Sequence, residues 1–156
     1  MISKEKLFAM NLLKKEYEEF QKEKIIQIGI KIDLINNDYF HWKITIIGPK
    51  DTPYEGGVFS IIANFKDDYP NSKPEIKFLN KIYNLHVIPR NGNILISPLF
   101  SWKSKYKIID IILSIFYKFY VQNTDGPYDY IMAQEYITDR EEFNRKAKEW
   151  TKKYAS

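Results

Sequence analysis

Gly48-Pro49-Lys50-Asp51-Thr52-Pro53-Tyr54-Glu55-Gly56-Gly57-Val58-Phe59 is the stretch around which this chain organises. Gly48-Pro49 closes an alternating run, Asp51-Thr52-Pro53 is loop chemistry, and Gly56-Gly57 lets the backbone turn sharply. A loop that leaves a sheet and re-enters it needs this punctuation. Before it, Phe40, Trp42, Ile44 and Ile46 alternate with His41, Lys43 and Thr45, the period of a strand with one buried face. Further back, Ile26, Ile28, Ile30, Ile32 and Leu34 alternate with Gln27, Gly29, Lys31 and Asp33, and Asn36-Asn37-Asp38 joins the two runs as a turn. After the loop, Val58–Phe65 predicts a third strand. Asp67-Asp68-Tyr69-Pro70 is a turn, and Ile76–Leu79 a short fourth strand. Four antiparallel strands in a meander follow from this order.

Helical periods flank the strands. Met10, Leu13, Tyr17 and Phe20 recur at spacings of three and four in an N-terminal helix. From Lys81 to Lys105 no period holds, and Pro89, Asn91-Gly92 and Pro98 puncture the segment. A loop that long in a compact domain usually carries function. Helical period returns with Ile108, Ile112, Ile115 and Phe119. Gly126-Pro127 then breaks the chain, and a short helix is expected around Tyr130–Ile137. Thr138 and Glu141 read as a capping box for a last helix, with Asp139 in its first turn. Phe143, Ala147, Trp150 and Tyr154 form its core stripe. The fold class is α+β: an N-terminal helix, a four-stranded antiparallel meander and three C-terminal helices. Residues 1–9 are expected to be an N-terminal extension to a core domain spanning 10–156.

Composition excludes several chemistries. The 156 residues include no cysteine, so disulfides, thiolate metal ligands and a thiol nucleophile are all absent. Only His41 and His86 offer imidazole, so no multi-histidine metal site is expected, and no cofactor is implied. The net charge is +4, with 24 cations scattered among 20 acids, which reads as a solvated surface and not as a nucleic-acid-binding face. Lysines interrupt the first twenty residues, and Asp110 and Lys118 interrupt the apolar run at 108–121. Neither a secretory leader nor a membrane span is expected.

The ordered motifs resemble the ubiquitin-conjugating enzyme family. Phe40-His41-Trp42 opens strand two, and Asp51-Thr52-Pro53-Tyr54-Glu55-Gly56-Gly57-Val58-Phe59 matches the family's central signature. Asp68-Tyr69-Pro70 and Lys73-Pro74 match the next turn, and Ile82-Tyr83 and Asn91-Gly92-Asn93-Ile94 lead toward the family's active site. Trp102 and Thr138-Asp139-Arg140-Glu141 follow, then Asn144 and Trp150-Thr151-Lys152-Lys153-Tyr154-Ala155. The resemblance runs from about Met10 to Ser156 and implies the family's fold.

It also implies a thioester-forming cysteine after the Asn-Gly-x-Ile run. That position is Leu95 here. Thioester exchange needs a soft nucleophile that is partly thiolate near neutral pH. The family's His-Pro-Asn is replaced by Asn84-Leu85-His86, a family Asp by Ser97, and an acidic gate residue by Gly126. No catalytic residue is therefore assigned. Ser97 or Ser101 would need His86 as base, and no third group is evident. The family's apolar contacts for RING-type ligases stand at Asn71 and Lys103-Ser104-Lys105. Together with Lys14 and Lys15 these are the candidate partner-binding residues, and weak or no RING binding is expected.

The leading expectation is a catalytically inactive relative of the conjugating enzymes. Like the ubiquitin E2 variants, it would act non-covalently, pairing with an active conjugating enzyme or with ubiquitin or a ubiquitin-like protein. Those variants lack the last two helices, which this chain keeps. The alternatives are a conjugating enzyme with an unconventional nucleophile or a replaced cysteine, and a scaffold outside the ubiquitin pathway. A cytoplasmic or nuclear setting is expected.

Overall fold

The computed structural model describes residues 1–23, 28–124 and 129–156. Ile26 and Gln27 of the first expected strand, and Gly126 and Pro127 of the expected break, lie outside the described residues. The elements run α1 (Lys4–Lys22), β1 (Ile30–Ile35), β2 (Asp38–Ile47), β3 (Val58–Asn64), β4 (Glu75–Phe78), α2 (Ser97–Phe100), α3 (Ile108–Tyr117), α4 (Tyr130–Thr138) and α5 (Arg140–Tyr154).

The four strands form one antiparallel sheet in the order β1-β2-β3-β4, as the alternation predicts. Register follows the period-two pattern: Ile32 pairs with Ile44, Ile44 with Ile61, and Ile61 with Phe78. One face is therefore continuous hydrocarbon and aromatic ring, with Trp42, Ile44, Ile46, Phe59 and Ile61 fully buried. The other face carries Lys31, Lys43 and Lys77 toward solvent. Asn36 and Asn37 take φ values of 54° and 56°, the left-handed pair that a tight two-residue hairpin demands.

α1 packs on β2 and α3, and α4 on α5. α1 starts at Lys4, where the Ser3 hydroxyl accepts the Lys6 N–H at 3.1 Å, so residues 4–9 continue the first helix and Ala9 is buried in the core. The last helix begins one residue later than the capping-box reading. Asp139 is the cap and accepts the Glu142 N–H at 3.2 Å, while the Thr138 hydroxyl turns back onto Gln134 O. Asp139 ends α4 and starts α5, so Thr138 stays within α4 and cannot cap the next helix. The fourth strand also sits one residue earlier than Ile76–Leu79, and Ile28 and Gly29 fall outside β1. Within the long loop, Ser97–Phe100 makes one short helical turn.

The 48–59 stretch closes the sheet onto the helices. Gly48 N–H donates to Gly57 O at 2.7 Å, and Gly56 N–H to Gly48 O at 3.2 Å. A Cβ on Gly48 would lie 1.6 Å from Tyr54 O, so only glycine fits. At the far end, Val58 N–H donates to Ala155 O at 2.7 Å and Asn80 Nδ2 to Tyr154 O at 2.9 Å, which ties the end of α5 to the sheet.

Candidate functional site

The segment 84–95 is folded by its turn residues into a narrow loop against β4. Gly92 takes φ +75°, and a Cβ there would approach Phe78 O to 2.1 Å. In return Phe78 N–H donates to Gly92 O at 2.9 Å. Gly92 N–H reaches Ile88 O at 2.8 Å, Ile88 N–H reaches Asn93 O at 2.9 Å, and Val87 bridges Ile94. This ladder places residue 95 opposite residue 86, with Leu95 N–H donating to His86 O at 2.7 Å.

His86 is buried, and its ring spans two segments. Asn123 N–H donates to Nε2 at 3.0 Å, which leaves Nδ1 as the protonated nitrogen facing Leu95 O at 2.9 Å. Both ring nitrogens are thus engaged, and the ring is not placed as a base for Ser97, which is exposed at the start of α2. Leu95 itself is half-buried, as an apolar residue there should be.

Asn84 belongs to a buried polar hub around Tyr54. The Tyr54 hydroxyl donates to Tyr83 O at 2.6 Å and accepts from Asn84 Nδ2 at 3.2 Å and Gln122 Nε2 at 2.9 Å. Asn84 Nδ2 also reaches Lys118 O at 3.0 Å, and its Oδ1 accepts His86 N–H at 2.9 Å. Gln122 Oε1 accepts Leu85 N–H at 2.7 Å. Burial pushes the Tyr54 phenol well above its ordinary range, while the Asn84 and Gln122 donors pull it part of the way back. Asn84 and Gln122 hold the loop in place, and neither points a donor at Leu95.

Two open grooves, each about 430 Å³, meet at Leu95. One is lined by β4 residues, Ile94 and Phe100, the other by Pro89, Arg90, Asp129 and Met132. At their junction stands a hydrocarbon side chain. Among the described residues there is no cluster of three or more His, Asp or Glu side chains that would hold a metal ion. No helix among them is long and apolar enough to cross a membrane.

The family model for ubiquitin-conjugating enzyme matches residues 12–151. The chain belongs to the ubiquitin-conjugating enzyme family. It is 38% identical over 122 residues to ubiquitin conjugating enzyme E2 B of Dictyostelium discoideum, a match covering 78% of this chain and 82% of that one. Its fold matches the E2 domain of a Toxoplasma gondii ubiquitin conjugating enzyme with a TM-score of 0.79 and 30% identity. That match covers 92% of this chain and 97% of that one.

The other residues singled out in this ubiquitin-conjugating enzyme family member fall into two places. Asn71 and Lys103-Ser104-Lys105 are exposed and come together, because Trp102 Nε1 donates to Pro70 O at 2.7 Å and its ring lies 6.1 Å from that of Tyr69. Lys14 and Lys15 are exposed on α1. Gly126 lies outside the described residues.

Sequence reasoning missed Tyr54 as the hub, Gln122 and Asn123 as partners of the 84–86 segment, and Glu16. Tyr54 was visible only as part of a loop motif. Gln122 and Asn123 carried one weak signal, two amides directly after an apolar helix. Glu16 carried a better one: it is an acid three residues after Leu13 and four before Phe20, on the buried stripe of α1.

Proposed function

We propose that this chain acts without a covalent step, as a ubiquitin-conjugating enzyme family member that binds an active conjugating enzyme, ubiquitin or a ubiquitin-like protein. One observation carries the reading. The position that corresponds to the family's thioester-forming residue holds Leu95, in a chain with no cysteine at all. A leucine has no lone pair to attack a carbonyl, and no neighbour substitutes for it, since the His86 ring is committed to Leu95 O and Asn123 N–H. The contribution left to such a protein is to hold partners in proximity and orientation.

The direct test is a charging reaction with activating enzyme, ATP and ubiquitin, resolved with and without thiol and hydroxylamine. No adduct is expected. An efficient adduct on Ser97 or on a lysine would favour an unconventional nucleophile instead. Titration against active conjugating enzymes and free ubiquitin then tests the binding role. If neither binds, the chain is a scaffold outside the pathway.

A further inference from the structure

Glu16 is the one buried carboxylate among the described residues. It joins three parts of the chain. From α1, its Oε2 accepts the Tyr69 hydroxyl at 2.8 Å and its Oε1 accepts Ile108 N–H, in the first turn of α3, at 3.0 Å. The residue before α3 is Lys107, whose side chain cannot cap, so Glu16 supplies the missing acceptor and a negative charge at the helix start. Two residues beyond Tyr69 is Asn71, and three residues before Ile108 is Lys105. Trp102 Nε1 closes the circuit on Pro70 O at 2.7 Å.

We propose that Glu16 is a proton-operated pin that sets the placement of the surface formed by Asn71 and Lys103–Lys105. The geometry gives the reason. Both groups facing the carboxylate are donors, so the ionised form satisfies both. A proton taken from water onto Oε2 makes that oxygen a donor to the Tyr69 oxygen, so the bond reverses and the Tyr69 O–H must turn to another acceptor. Tyr69 is itself buried, so its turned O–H finds no water to replace the lost acceptor, and Pro70 is its chain neighbour.

The ionisable groups around the pin are few. Tyr69 faces it from the turn, Lys107 from the segment before α3, and Glu19 from α1 itself. Asp110 of α3 lies near Tyr69. Burial raises the Glu16 carboxyl above the usual carboxylate range. The bonds from Tyr69 and Ile108 N–H and the Lys107 charge oppose that rise, and Glu19 adds to it. Burial with the Glu16 charge alongside pushes the Tyr69 phenol far up, so Tyr69 remains a donor.

Nuclear magnetic resonance reads the pin directly, through the Glu16 carboxyl carbon and the Trp102 indole N–H followed against pH in the intact chain. The expected result is one shared midpoint, above the ordinary carboxylate value, for both signals. In Glu16→Gln the indole shift is lost. In Tyr69→Phe the carboxyl still titrates but the indole no longer follows it. An indole signal that is flat in the unsubstituted chain, has a different midpoint, or still titrates in Glu16→Gln overturns the proposal. Where a variant does not fold, the shared or separate midpoints of the unsubstituted chain decide alone.

Discussion

His86 and Leu95 exchange two hydrogen bonds: the Leu95 N–H donates to His86 O at 2.7 Å, and His86 Nδ1 lies 2.9 Å from Leu95 O. The imidazole is spent on holding this loop and the segment at Asn123. A thiol introduced at residue 95 would leave that commitment in place. Leu95→Cys is expected to discharge ubiquitin about 10²-fold or more slowly than an active family member, the cost of a missing aimed donor. Single-turnover discharge to free lysine measures this. A normal rate from the single substitution would refute the multi-site account.

The Tyr54 hydroxyl joins the 48–59 loop to Tyr83, Asn84 and Gln122 in one buried hub. Tyr54→Phe keeps the ring and removes the bonds, leaving buried amide groups and a carbonyl short of partners. The expected loss is about 2–3 kcal/mol in urea unfolding. A variant as stable as the parent would show that the hub is not needed for the loop.

Gly48 and Gly56 share a loop but differ in kind. At Gly48 a methyl group collides with Tyr54 O, whereas at Gly56, with φ +77°, nothing lies within 4 Å. Gly48→Ala is expected to destabilise by more than about 4 kcal/mol. Gly56→Ala should cost about 1–2 kcal/mol, the left-handed backbone penalty alone. Equal losses in chemical denaturation would contradict this assignment.

Stability should depend on pH through Glu16. Its carboxyl value is raised in the fold, so the folded chain keeps its proton where the unfolded chain has released it. That contribution is fully present below the ordinary carboxylate value and is lost as pH rises through the raised one. Glu16→Gln should remove this part of the slope when unfolding is followed from about pH 4 to about pH 8. Identical slopes in both proteins would place the titrating group elsewhere.

The surface at Asn71 and Lys103–Lys105 offers an amide and two ammonium groups where an apolar anchor would carry interface energy. Calorimetric titration with a typical RING domain should show binding weaker than about 0.1 mM. Micromolar binding would show that this surface tolerates the charges.

Much of the fold was legible because it rests on short-range pattern. Period-two alternation located β2, and the glycines of the 48–59 loop located the re-entry into β3. Element ends were less legible: β1 and β4 were each displaced at a boundary, and the last helix starts one residue later. Thr138 and Asp139 are both good caps, and only the preceding helix decides which one is free to act. The composition of the candidate site, Leu95 where the resemblance implies a cysteine, could be read from the sequence, and what holds it could not. The pairings of His86 with Asn123 and of Tyr54 with Gln122 span 37 and 68 residues, and no local period records them.

The hydrocarbon at the junction of the two grooves has a quantitative consequence. On the non-covalent reading proposed above, Leu95 receives no cargo from another protein and the chain has no cycle to complete. On that reading its influence on a partner saturates at stoichiometric occupancy and scales with copy number. With no cysteine in its sequence, the chain offers a thiol-directed alkylating agent no thiol to modify.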